Sequence, residues 1–157
     1  MSLFKKILVP LDGSEHSLKA LGTAVQIAKK FDATVTLIHI YSVTARPVVM
    51  PEPTTLTPPG VPVMTPADVS KVVEATRKAG ANILAEGEER VKAENVRVET
   101  ALVEGHVVQE IVRAANEGGF DLVVMGARGI SRIREILLGS ASDGVIRHAS
   151  CPVLVAK

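Results

Sequence analysis

The residues best placed to do chemistry lie in GARGISRIREILLGS, residues 126–140, where Gly126, Gly129 and Gly139 surround a middle patterned like an amphipathic helical turn. Glycine in a regular element costs backbone entropy, but it lets a backbone approach a ligand closely or take positive φ, with its N–H groups free to point at an anion. The run Gly139-Ser140-Ala141-Ser142 opens the next helical pattern. Free N–H groups, small side chains and the positive end of a helix dipole therefore coincide there, which suits phosphate. Ser140 or Ser142 would add a hydroxyl donor and Arg128 a positive charge. A plainer account has Gly129 and Gly139 flanking a short helical turn, with Ile133, Ile136 and Leu137 packed inward and Ser140 or Ser142 as an N-cap. The glycine spacing alone leaves both accounts standing. A second equipped segment is Pro10-Leu11-Asp12-Gly13-Ser14, with an acid directly after an apolar run. Asp12 is there either a ligand group or a turn cap holding the Ser14 N–H.

The same residues exclude several chemistries. They lack the G-x-G-x-x-G spacing of a dinucleotide fold and the G-K-S/T ending of a P-loop. Ser142 lies three residues after Gly139, so Gly139 to Gly144 is no G-x-S-x-G nucleophile elbow.

The elements that must position these groups follow from periodicity. Lys5 to Leu11 reads as a buried strand ending at Asp12-Gly13-Ser14, and the spacing of Leu18, Leu21, Val25 and Ala28 predicts a helix over Glu15 to Lys30. Ala33 to Ile40 is a second strand. Six of the nine prolines fall between Ser42 and Pro66, which predicts a long loop, either a surface insertion or a lid or partner segment. Thr65-Pro66-Ala67-Asp68 supplies an N-cap, a proline at the first helical position and an acid in the first turn. The helix that follows should run to about Ala93, with Val69, Val72, Val73, Thr76, Ile83, Leu84 and Val91 on its apolar face. Val96 to Val103 is a third strand, Val108, Ile111, Val112 and Ala115 mark a third helix that Gly118-Gly119 can cap, and Asp121 to Met125 is a fourth strand. Ser140 to Ala149 can form a fourth helix before a final strand in PVLVAK, residues 152–157. Strands alternating with helices call for parallel pairing through right-handed crossovers, hence a three-layer α/β sandwich. Ligands of such sheets bind beyond the carboxyl ends of the strands, where the winding reverses.

Composition narrows the function classes. A chain of 157 residues fits one domain, and its 46% hydrophobic fraction with only 3% aromatics calls for an aliphatic core of the kind a buried parallel sheet has. A net charge of +1 and the scarcity of aromatic stacking platforms make nucleic acid a poor partner. No apolar run is long enough to span a bilayer, and the apolar stretch before Asp12 is too short for a signal-peptide core. One cysteine, Cys151, excludes an intrachain disulfide; the expectation is a cytoplasmic protein.

Taken together, G-x-x-G, nine residues, then G-S, with Asp12-Gly13-Ser14 after the first strand and Cys151-Pro152-Val153-Leu154-Val155 at the end, resembles the universal stress protein family. The resemblance covers essentially the whole chain apart from the proline-rich insertion, and the glycine pattern is that of the family's ATP-binding branch. It implies a five-stranded parallel sheet of order 3-2-1-4-5, the adenine nucleotide alpha hydrolase-like fold, which sets the two equipped strand ends side by side. Carried over by position, Gly126, Gly129, Gly139, Ser140, Ala141 and Ser142 would hold ribose and phosphates, with Met125 and Arg128 beside them. Pro10, Leu11 and Asp12 would line the site, and the backbone at Ile40 would meet the adenine edge. Asp12 would also be the carboxylate nearest a phosphate-bound Mg²⁺ or Mn²⁺, directly or through water. The resemblance further implies ATP, with AMP or ADP as alternatives, and a homodimer paired through Val153 to Ala156.

The reading is then a nucleotide-dependent stress-response or signalling module. A slow metal-dependent ATPase is one alternative, although the sequence names no general base beyond Asp12 and no arginine finger beyond Arg128. An interaction module acting through the proline-rich loop is the other. His16, His39, His106 and His148 lack the mutual spacing of a zinc site, and His39 is expected at a strand end near the pocket. Cys151, before a proline and an apolar strand, is expected to be a structural thiol. Met50 and Met64 are expected to fill gaps, and Arg132, Arg134 and Glu135 to be solvated.

Overall fold

The computed structural model describes residues 2–43, 65–129 and 138–157. Strand β1 (Lys6–Pro10) is apolar through its centre and feeds helix α1 (Glu15–Phe31) across a turn in which Gly13 takes φ +82°. Ser14 caps α1 by accepting from the Ser17 N–H, Glu15 stands in the first turn, and Lys29 and Lys30 in the last, as the helix dipole favours. Strand β2 (Thr34–Tyr41) follows. Helix α2 (Pro66–Ala93) opens with a full capping box, in which Thr65 and Asp68 satisfy each other's backbone N–H groups and Pro66 occupies the first turn. Strand β3 (Arg97–Glu104), helix α3 (Val107–Glu117), strand β4 (Leu122–Gly126), helix α4 (Ser140–His148) and strand β5 (Val153–Ala156) complete the order. Gly118 ends α3, and Gly119 takes the left-handed conformation at φ +65°.

The five strands form one parallel sheet in the order β3-β2-β1-β4-β5. That is the expected arrangement, with element ends displaced by a residue or so. Alternation along the strands divides the core. Ile7, Val9, Val35, Leu37 and Val124 meet α1 and α2 on one face, while Leu8, Ile38, Ile40, Val123 and Met125 meet α3 and α4 on the other.

Helix α2 departs from expectation in its first half. Its buried residues are Gly80, Leu84, Gly87 and Val91, whereas Val72 is 40% exposed and Val69, Val73 and Thr76 are only half-buried. The reason is length: 28 residues of helix extend about 42 Å, beyond what an eight-residue strand can cover. The proline-rich loop with Met50 and Met64, the packing expected of Ile133, Ile136 and Leu137, and the solvated role of Arg132, Arg134 and Glu135 lie outside the described residues.

Candidate nucleotide site

The winding reverses between β1 and β4, which pair through Ile7 with Leu122 and Leu8 with Val123. Their carboxyl ends open into a cavity of about 220 Å³. Pro10, Leu11 and Asp12 form one wall, and Met125, Gly126, Arg128 and Gly129 another. Gly139, Ser140, Ala141 and Ser142 bring the start of α4 to the same space. Ile38, Ile40, Val107 and Ile111 close the apolar side. Every residue assigned to the site from the sequence therefore lines one cavity, and Val107, Ile111, Ile38 and Ser17 join them. Ile111 and Ile38 read from sequence only as core, because periodicity marks burial without saying which buried residues border a hollow.

Asp12 acts in two directions. Its Oδ1 accepts the Ser14 N–H at 2.9 Å, the turn cap considered above. Its Oδ2 faces the other wall so closely that a Cβ on Gly129 would lie 2.7 Å from it. The cap thus orients the carboxylate across the cavity.

The glycines meet needs of space. Positive φ among the described glycines is confined to Gly13, Gly105 and Gly119, so Gly126, Gly129 and Gly139 do not use the conformational freedom allowed for them above. A Cβ on Gly126 would fall 2.7 Å from the His16 backbone carbon, so this glycine seats the first turn of α1 as well as lining the cavity. Gly139, not a serine, is the N-cap of α4, and no side chain caps that helix among the described residues. Ser142 is almost fully buried instead, and its hydroxyl donates to the Ala127 carbonyl at 2.8 Å, with the Gly139 carbonyl at 3.0 Å. Gly139 N–H also donates to Ala127, at 2.7 Å. These bonds clasp the two ends of the glycine segment together. Among the described residues, the exposed Ser140 hydroxyl and the first-turn N–H groups of α4 are available as donors for a ligand.

These features fit a phosphate-bearing ligand on chemical grounds: helix N–H groups that no side chain caps among the described residues, the guanidinium of Arg128 at the cavity wall, and a cradle that a Cβ would fill. They fit a divalent cation only as one carried on phosphates. Among the described residues no three His, Cys, Asp or Glu side chains cluster as a metal site, leaving Asp12 as the carboxylate at the cavity.

His39 does not line the cavity. Alternation turns it to the α2 face, where its ring lies under Gly80 and its Nδ1 is 2.6 Å from the Leu11 carbonyl. Cys151 is half-buried against the cluster beneath α3 and α4, and burial pushes its thiol pKa up, with the Asp121 charge adding to the effect. No helix among the described residues is long and apolar enough to cross a membrane.

Comparison with known proteins agrees with this architecture. The universal stress protein family model matches residues 3–157. The universal stress protein YxiE of Bacillus subtilis is 34% identical over 155 residues, covering 99% of this chain and all of the relative. The solved structure of MJ0577, a universal stress protein of Methanocaldococcus jannaschii, superposes with a TM-score of 0.81 at 25% identity, covering 99% of this chain and 96% of that one. A universal stress protein solved in complex with cAMP superposes with a TM-score of 0.64 at 27% identity, covering 98% and 96% of the two chains. This chain belongs to the universal stress protein family.

Proposed function

We propose that this chain is an ATP-binding universal stress protein whose nucleotide occupancy serves as a signal, and that it works as a homodimer. The observation that carries the reading is the meeting of Asp12 Oδ2, Gly129 and the uncapped start of α4 at one cavity. An acid and a helix N-terminus lining the same open space suit a phosphate with its accompanying cation better than they suit a packed core. The apolar side at Ile38, Ile40, Val107 and Ile111 suits a flat base. The relative solved with cAMP supports adenine nucleotides as the ligand class. Arg128 and the Ser140 hydroxyl would meet the phosphates, and Mg²⁺ or Mn²⁺, when bound with them, would neutralise charge beside Asp12.

The test is thermal. A ligand that binds only the native state at a hundred times its Kd adds about 2.7 kcal/mol, so millimolar ATP with Mg²⁺ should raise the melting temperature by several degrees. No rise with ATP, ADP or AMP would overturn the reading.

A further inference from the structure

Helix α2 packs closely against His39 of β2 and against Leu11 through two of its glycines. A Cβ on Gly80 would lie 2.5 Å from His39 Cδ2, and one on Gly87 would lie 2.6 Å from Leu11 Cδ1. Each glycine weakens a helix interior relative to alanine. Two of them, one above the His39 ring and one above the Leu11 side chain, mark a place where close approach outweighs that loss. Ile83, on the same face, reaches Gly13, whose Cβ position is 3.4 Å from its Cδ1.

The partner of the His39 ring is informative. A carbonyl oxygen only accepts, so the 2.6 Å contact requires Nδ1–H of His39 to donate to Leu11. Leu11 is the residue between Pro10 and Asp12, and its own N–H donates to the Ile38 carbonyl at 2.9 Å. The residue before Asp12 is thus held at both its peptide groups, its N–H by β2 backbone and its C=O by a β2 side chain. Asp12 itself is then fixed by Ser14 on one oxygen and turned to Gly129 with the other.

We infer that His39 is a positioning residue for the nucleotide site: seated under Gly80 on the face of the sheet away from the cavity, it anchors the Leu11 carbonyl and thereby aims Asp12 at Gly129. The inference rests on the nucleotide-binding reading for its effect on affinity, but its effect on the loop is independent of any ligand.

Atom placement makes the test selective. Asparagine attaches its amide nitrogen directly to Cγ, where histidine carries Nδ1, whereas glutamine places nitrogen near the Nε2 position. His39→Asn should keep ATP affinity close to the parent's, while His39→Gln and His39→Leu should lose about threefold to tenfold, the range for one hydrogen bond. Gly80→Ala, which drives a Cβ into the ring while leaving His39 in place, should reproduce the loss and provides the answer if His39→Leu does not fold. The same proteins without nucleotide are compared by amide hydrogen exchange. Leu11 and Ser14 amides should exchange faster in the Gln, Leu and Gly80→Ala proteins but not in His39→Asn, with Val9 unchanged as the core reference. Faster loop exchange in a protein that binds no ATP would uphold the positioning and overturn the nucleotide reading. Equal loop exchange and equal affinity in all four variants would overturn the positioning, as would identical behaviour of the Asn and Gln proteins.

Discussion

At the scale of single residues, what an added methyl would strike separates a glycine proposed to serve the ligand from one that serves packing. The obstacle to Gly129→Ala is Asp12 Oδ2, the end of a side chain that can rotate, so the fold can accommodate it. Rotation, however, takes the carboxylate off its line across the cavity or off the Ser14 N–H. Gly129→Ala should therefore melt within about 2 °C of the parent, as surface substitutions do, while binding ATP about tenfold more weakly. The obstacle to Gly126→Ala is the His16 backbone, which cannot rotate away. Moving the first turn of α1 should cost about 1–3 kcal/mol, read as a fall in melting temperature with or without nucleotide. Melting curves and ATP titrations of the two proteins check both statements. Unweakened binding by Gly129→Ala would return this glycine to the role of helix punctuation.

At the scale of elements, local signals were the readable ones. Thr65, Pro66 and Asp68 define the start of α2 within four residues, and Ser14 does the same for α1, because a cap is satisfied by its own neighbours. Gly80 and Gly87 gave no comparable signal: their reasons are His39 and Leu11, brought near only by the sheet. The exposure of Val72 was hidden for the same cause, since the overhang of α2 depends on the length of strands elsewhere in the chain. Asp121 is another long-range device, for its Oδ2 accepts the N–H groups of Lys5 and Lys6 at 2.8 and 2.9 Å and ties the start of β4 to that of β1. Those two bonds hold its carboxyl below the usual carboxylate range. A native pKa lower than the unfolded one means stability that is full above the ordinary carboxylate range and lost as the pH falls through the lowered value. Asp121→Asn keeps an acceptor oxygen but no charge, so it should melt about 2–4 °C below the parent at neutral pH, for a loss of about 1 kcal/mol. The gap should close in acid. A gap that persists below the carboxylate range would show that charge is not what the site uses.

At the scale of the whole molecule, the two edges of the sheet differ in kind. Edge strand β3 carries Arg97, Glu99 and Glu104, charges that discourage another strand from pairing there. Edge strand β5 is Val-Leu-Val-Ala, half-buried along its length and without a charge before Lys157. A second copy added here by a two-fold axis normal to the sheet would pair β5 antiparallel with its counterpart and cover the β5 edge of each copy. Which backbone groups would make that pairing follows from the existing ladder. Val123 N–H donates to Pro152 and Ala127 N–H to Ala156, so residues 152, 154 and 156 address β4, while Val153 and Val155 direct their N–H and C=O groups outward. Val155→Pro deletes an outward donor and spares every bond to β4, the position at which an edge strand tolerates proline. The parent chain should sediment as a dimer at micromolar concentration, Val155→Pro should shift toward monomer, and Val155→Thr, which keeps the N–H and the branched shape, should remain dimeric. Equilibrium sedimentation of the three decides it, because a surface that pairs through side chains alone would respond to threonine and proline alike, and a parent that sediments as a monomer has no pairing through β5 to lose.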